Sequence, residues 1–209
     1  MKKYCFFIIT LFCLLVGRVK AQYSVLLNFN GANGKNPWVN TLKQWGSKIY
    51  GMAHAGGLYD YGCIFSLDTN GNNYKDLHDF NDTNGKNPVG TLVLSGNVLY
   101  GMTESGGAND YGCIFSIDTN GSGYMDLLDF DGFNGSTPLN SLILSGNILY
   151  GITQESIFSI NTNGSNFKTI HYNGASPDGT LILSGNLLYD MIGIGGLYNF
   201  GYILSLIHI

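Results

Sequence analysis

The side chains of this sequence best placed to do chemistry are aromatic rings and carboxylates in glycine-rich loops. The stretch His54-Ala55-Gly56-Gly57-Leu58-Tyr59-Asp60-Tyr61 sets two tyrosines around one aspartate. Two later stretches, 104–111 and 193–200, repeat the arrangement with Asp110-Tyr111 and with Tyr198-Asn199-Phe200. Trp38 and Phe133 lie in connecting stretches of the same kind. An aromatic face stacks on an apolar sugar face while carboxylate and amide groups take the hydroxyls. Trp38, Tyr59, Asp60, Asp110, Tyr198 and Asn199 are therefore the candidate ligand-binding residues, for an extracellular glycan or a protein. Tyr61, Tyr111 and Phe200 share one repeat position and are expected to pack between repeat units.

Other constellations carry less. A glycosidase needs two carboxylates, and Asp79 with Asp82 and Asp129 with Asp131 offer pairs. These pairs recur with the repeat at strand ends, which reads as turn chemistry. Asp68, Asn70 and Asn72 imitate the start of a calcium loop, but the twelfth position holds Asp79 instead of the bidentate Glu. A hairpin turn accounts for them better. His54, His78, His171 and His208 fall at unrelated repeat positions, so no metal ring or shared base emerges. Cys63 and Cys113 occupy one position of successive repeats, and equivalent positions one unit apart exceed the roughly 7 Å Cα limit of a disulfide. Two buried free thiols are expected. No Cys/His spacing fits zinc. No metal or cofactor is implied, no catalytic residue is assigned, and no repeat carries a polar cluster that the others lack.

The elements that position these loops follow from a repeat of about fifty residues. Gly62-Cys63-Ile64-Phe65-Ser66 recurs as Gly112-Cys113-Ile114-Phe115-Ser116, and Asp68-Thr69-Asn70-Gly71 recurs as Asp118-Thr119-Asn120-Gly121. Such a period marks stacked or radially arranged copies of one unit. Within a copy, 91–95, 98–103, 112–118 and 124–130 are short β-prone runs. Ser-Gly-Asn and Thr-Asn-Gly turns separate the first two and the last two, since Gly there accepts positive φ. No stretch keeps a helical period. Four antiparallel strands per copy predict an all-β propeller with blades at about 41–80, 91–130, 141–172 and 180–206. Tyr23 to Phe29 matches strand four and the last copy lacks one. A four-bladed ring closed by that N-terminal strand is one reading, and a fragment of a larger propeller is the other. Strand alternation puts the tight turns on one end and the long loops on the other, so function is expected on the long-loop face.

The string Leu-x-Leu-Ser-Gly-Asn-x-Leu-Tyr-Gly-Met-Thr-x-x-Gly-Gly, followed by Tyr-Gly-Cys-Ile-Phe-Ser, resembles the Gloeo–Verruco (GloVer) tandem repeat of secreted bacterial proteins. The resemblance runs from about Tyr23 to Leu206 and is most specific over 47–66 and 97–116. It implies a propeller-like fold and brings no catalytic residues. The order Leu-Tyr, Gly-Gly, apolar strand, Asp-x-x-x, aromatic is also similar to kelch blades. The third copy departs from the pattern, since Thr153-Gln154-Glu155-Ser156 replaces the Gly-Gly loop.

The first 21 residues read as a secretory signal. Lys2-Lys3 lead an apolar stretch from Cys5 to Val16, and Ala21 marks the cleavage point. Export to the bacterial surface or beyond is expected, with residues 22–209 as the repeat domain. Without the signal, six basic side chains face fourteen acidic ones, a net charge of −8. That argues against nucleic acid and anionic membrane as partners. No later run is long enough to insert in a membrane. A monomeric, non-catalytic module that binds a glycan or protein is the leading expectation. A propeller hydrolase or lactonase acting on a sugar, and a structural spacer in a larger surface protein, are the alternatives.

Overall fold

The structure is a computed structural model that describes residues 23–37, 40–172 and 179–207. The expected signal segment and Trp38 lie outside the described residues. The described chain contains sixteen strands and no α-helix. The first sheet holds β2 (Lys43–Trp45), β3 (Lys48–Ala53), β4 (Cys63–Asp68) and β5 (Lys75–Asp79), preceded by the two-residue β1 (Asn40–Thr41). The second holds β6 (Lys86–Ser95), β7 (Val98–Ser105), β8 (Cys113–Asp118) and β9 (Met125–Asp129), with β1 added parallel to β6. The third is β10 (Leu139–Ser145), β11 (Ile148–Ile152), β12 (Ser156–Asn161) and β13 (Lys168–Tyr172). The fourth has only β14 (Ile182–Ser184), β15 (Leu187–Ile192) and β16 (Tyr202–Ile207). Apart from the β1–β6 pair, the ladders are antiparallel between sequence neighbours. This is the all-β, repeat-built layout that the alternating runs predict.

Sheets meet face to face through one recurring contact. Phe80 at the end of the first sheet packs edge-on against Phe115 of the second at 5.4 Å, and Phe130 does the same against Phe158 of the third at 5.5 Å. All four rings are fully buried, and full burial of such a ring stabilises by roughly 1.5–3 kcal/mol. Each strand-three ring lies over a glycine of strand two. A Cβ built on Gly51 would stand 2.6 Å from Phe65 Cζ, and Phe115 and Phe158 crowd Gly101 and Gly151 in the same way. No side chain fits between ring and backbone there.

The expected closing strand is not formed. Residues 23–30 carry no strand, and β16 pairs with β15 alone. The segment nonetheless seats its side chains as a strand four would. Phe29 packs edge-on against Phe65 at 5.4 Å, and Leu26 lies against Gly71 as Leu77 lies against Gly121. What it lacks is a neighbouring strand to complete its backbone hydrogen bonds. Closure of the sheets into a ring is therefore not seen.

Candidate functional site

The long loops gather on one end, as strand alternation requires. Lys35 and Ala55 exchange backbone hydrogen bonds, and Gly57 N–H donates to Gly31 C=O, so the connection before the first sheet is sewn to the β3–β4 loop. In the second sheet Gly107 N–H donates to Asp82 C=O in the same manner. Each connection also reaches back to the preceding sheet: Asn87 N–H donates to Tyr61 C=O and Thr137 N–H to Tyr111 C=O. The opposite end carries the tight turns, which touch one another through Thr69 N–H to Ser47 C=O, Thr119 N–H to Asn97 C=O and Thr162 N–H to Asn147 C=O.

Within the first loop Asp60 has a positive φ of 66° and accepts the Gly56 N–H at 3.0 Å, closing the loop on itself. Lys35 Nζ sits 2.6 Å from the same carboxylate and holds it below the usual carboxylate range. Asp110 repeats this with Gly106 N–H at 3.0 Å and Lys86 at 2.7 Å, and Lys86 again holds the carboxyl low. Both carboxylates brace their own loops while their outer edges remain in solvent. Asn199 takes the same backbone conformation in the fourth sheet, with its N–H on Gly196 C=O.

The aromatic candidates divide. Tyr59 is 51 % and Tyr198 78 % exposed, on the loops of the first and fourth sheets. The structure pairs Tyr59 with Asp60 and Tyr198 with Asn199 as chain neighbours and records no contact joining the two loops. Tyr61 and Tyr111 are only partly covered at their sheet junctions, Tyr111 with its ring against Gly132 in the connection to the third sheet. Phe200 is 92 % exposed on the fourth sheet, whose back no other described sheet covers. The positive φ at the residue before each of them turns the chain out of the strand path, so a shared repeat position here is a surface position. Phe133 is exposed as well.

Two carboxyl pairs were not apparent from spacing alone. Asp76 stands beside Asp79, and Asp126 beside Asp129, so that each pair can hydrogen-bond once one carboxyl is protonated. Residues three apart on an unbroken strand face opposite sides. A register shift in the β4–β5 ladder skips Leu77, and the same shift occurs between β8 and β9, which turns each pair to one side. Partial burial and the neighbouring carboxylate raise Asp76 to about 6, and Asp126 likewise to about 6. The partner oxygens are already used: Asp79 Oδ1 accepts Leu58 N–H and Asp129 Oδ1 accepts Ala108 N–H, each at 2.9 Å. The i,i+3 aspartates in two successive copies were the available signal.

The remaining groups are structural. Cys63 and Cys113 are free and fully buried, as expected, and burial pushes both thiols up to about 12. His78 stacks flat on Tyr124 at 4.0 Å and meets Asn84 Nδ2 at 3.0 Å, and burial lowers it to about 4. Asn70 Oδ1 accepts Asn72 N–H in the hairpin turn, and Asp68 pairs with Lys48. No group of three His, Cys, Asp or Glu able to hold a metal occurs among the described residues. No helix among them is long and apolar enough to cross a membrane. The third sheet carries its own polar contacts at the loop end. Ser136 Oγ donates to Glu155 at 3.1 and 3.2 Å, and Thr153 Oγ1 meets Ser156 Oγ at 2.9 Å. Its hydroxyl pair stands where Thr103 Oγ1 meets Cys113 Sγ at 3.3 Å in the second sheet, so it replaces a structural contact.

A repeat-built, all-β chain with its loops sewn together on one end defines a propeller-like class. The Gloeobacter/Verrucomicrobia repeat matches residues 10–204, and the chain belongs to that family. No curated protein matches it. Among solved structures it is similar to the computationally designed Ika4 protein (14% identity, 89% of this chain and 99% of that one, TM-score 0.60). It is also similar to a gluconolactonase from Xanthomonas campestris (10% identity, 87% and 61%, TM-score 0.58). A third is the extracellular domain of a hybrid two-component system from B. thetaiotaomicron (12% identity, 80% and 22%, TM-score 0.54). These neighbours are propeller-like and share the fold alone. The chain spans about half the length of other solved chains that it matches, 51% and 45%.

Proposed function

We propose that this chain is a non-catalytic binding module, exported through its first 21 residues, that takes a glycan on its long-loop face. The observation that carries the reading is the contrast between braced and free positions within each loop. Asp60 and Asp110 fix their loops, while the side chains of Leu58, Tyr59, Leu197 and Tyr198 project into solvent. Rigid loops that present rings beside carboxylate and amide edges suit a ring-stacking, hydroxyl-bonding ligand. Asp60, Asp110, Asn199 and Trp38 supply the polar edge and a further ring. The sheets act as successive blades in this reading, supported by the equal Phe–Phe geometry at the junctions. Extracellular placement draws support from the signal-like N-terminus and from the extracellular-domain neighbour. The test is titration of the chain beginning at Gln22 against a panel of soluble polysaccharides, with Tyr59→Ala and Tyr198→Ala beside it. The exposed rings make both variants as stable as the parent, and each is expected to weaken binding at least tenfold. Binding to the panel that both variants retain in full refutes the site.

A further inference from the structure

At each internal junction the back of one sheet covers the front of the next, and among the described residues two faces of that kind have no cover. Leu92, Leu142 and Leu181 begin the fronts of the second, third and fourth sheets and are 1–4 % exposed, whereas Leu42, at the same repeat position of the first, is 62 % exposed. Leu42 opens an apolar groove of about 350 Å³ floored by Ile49, Phe65 and Leu67 and walled by Leu26 and Phe29. On the back faces, Met52, Met102 and Ile152 of the first three sheets are at most 2 % exposed, as are Ile64, Ile114 and Ile157. Their counterparts in the fourth sheet, Met191 and Ile203, are 61 % and 76 % exposed. The uncovered back is therefore the piece that fits the uncovered front, by the same residue types that fill the three inner junctions.

We infer that a second copy of this chain covers these faces, the fourth sheet of one copy packing on the first sheet of the other. In this structure the chain's own fourth sheet leaves its own first sheet bare, although residues 23–30 already sit in place against it. Docking brings that segment beside the free edge of β16, where it becomes strand four of its partner's last sheet and ends the exposed ladder. It also supplies two contacts that recur inside the chain and are unmade at its ends. Pro88 and Pro138 pack on Gly62 and Gly112, and Pro37 would pack on Gly201. Asn87 N–H binds Tyr61 C=O, and Asn36 N–H would bind Phe200 C=O. A head-to-tail contact of this type closes when two copies use it twice.

The register at the inner junctions fixes the test. Ser66 opposes Lys75 across β4 and β5, and the corresponding pair at the docked edge is Ser205 and Ser24. In the chain beginning at Gln22, Ser24→Cys with Ser205→Cys places two thiols within disulfide reach, while Cys63 and Cys113 stay buried. The expected result is a particle of twice the chain mass by light scattering and a two-chain species on non-reducing gels, absent from either single variant. Met191→Glu and Ile203→Glu alter only exposed side chains and are expected to shift the particle to one chain without loss of cooperative unfolding. A one-chain particle whose cysteines link within the chain overturns the inference in favour of closure on itself. A one-chain particle that forms no link overturns it as well.

Discussion

Replacing Asp126 by Asn tests the carboxyl pair through the pH dependence of stability. The folded chain raises this carboxyl from 3.8 to about 6, first through partial burial and then through Asp129. A carboxyl raised on folding binds its proton more tightly in the native than in the unfolded chain. Its contribution is complete below the unfolded value of 3.8 and is lost as pH climbs through about 6. A sealed group would carry about 3 kcal/mol, at about 1.4 kcal/mol per tenfold change in proton affinity. Asp126 keeps an exposed outer edge, so solvent screening reduces this to about 1 kcal/mol. Asn keeps the hydrogen bond to Asp129 and never ionises. Urea unfolding at pH 4 should therefore find parent and Asp126→Asn within a few tenths of a kcal/mol. At pH 7 the variant should be the more stable by about 1 kcal/mol. The parent's curve also contains the His78 titration, which cancels in the difference. A gap of equal size at both pH values, or a less stable variant at pH 7, refutes the shared-proton account.

Two further predictions follow from packing. Gly151→Ala puts a Cβ into the Phe158 ring with Leu142 Cδ2 2.9 Å away, and thermal unfolding should show a loss of about 1–3 kcal/mol from overpacking. An unchanged melting temperature would mean that the Phe–Gly seat is not tight. Cys63 and Cys113, buried and raised to about 12, should ignore an aromatic disulfide reagent at pH 8 and react together once urea unfolds the chain. Prompt reaction of either thiol in the native state would contradict its burial.

Repetition made the architecture legible and hid what breaks it. Cys63 and Cys113 read correctly because identical apolar strands repeat around them. Tyr61 and Tyr111 are more open than a shared repeat position implies, because a left-handed residue ahead of each turns it from the strand path. The carboxyl pairs stayed hidden because a strand bulge changes which residues share a side, and no spacing rule marks a bulge. The N-terminal segment was legible by its side chains, since Phe29 finds Phe65, but its strand state depends on a neighbour that sequence cannot place. Of the candidate site, the loop face and its exposed Tyr59 and Tyr198 were readable; the bracing of Asp60 and Asp110 by Lys35 and Lys86 was not, because it crosses between loops.

In the third sheet the Gly-Gly loop and the carboxyl pair are lost together. That sheet lacks the Gly-Gly loop, carries Ser156 where the first two sheets have Cys63 and Cys113, and has Thr169 and Tyr172 where those two have the paired aspartates. The reason lies in Asp79 and Asp129: each accepts an N–H from the loop after the Gly-Gly pair, and the second glycine leaves the room for its oxygen. Without the loop that carboxylate has no donor, and a partly buried unpaired charge destabilises. Replacing 104–112 of the second sheet by the short Gln154-Glu155 connection should therefore cost more stability with Asp129 retained than with Asp129→Tyr. The expected difference is about 1–2 kcal/mol by urea unfolding, in the range of a lost hydrogen bond to a charged group. Equal losses in the two backgrounds would show that the loop and the carboxylate stand independently, and that their joint absence from the third sheet has no physical link.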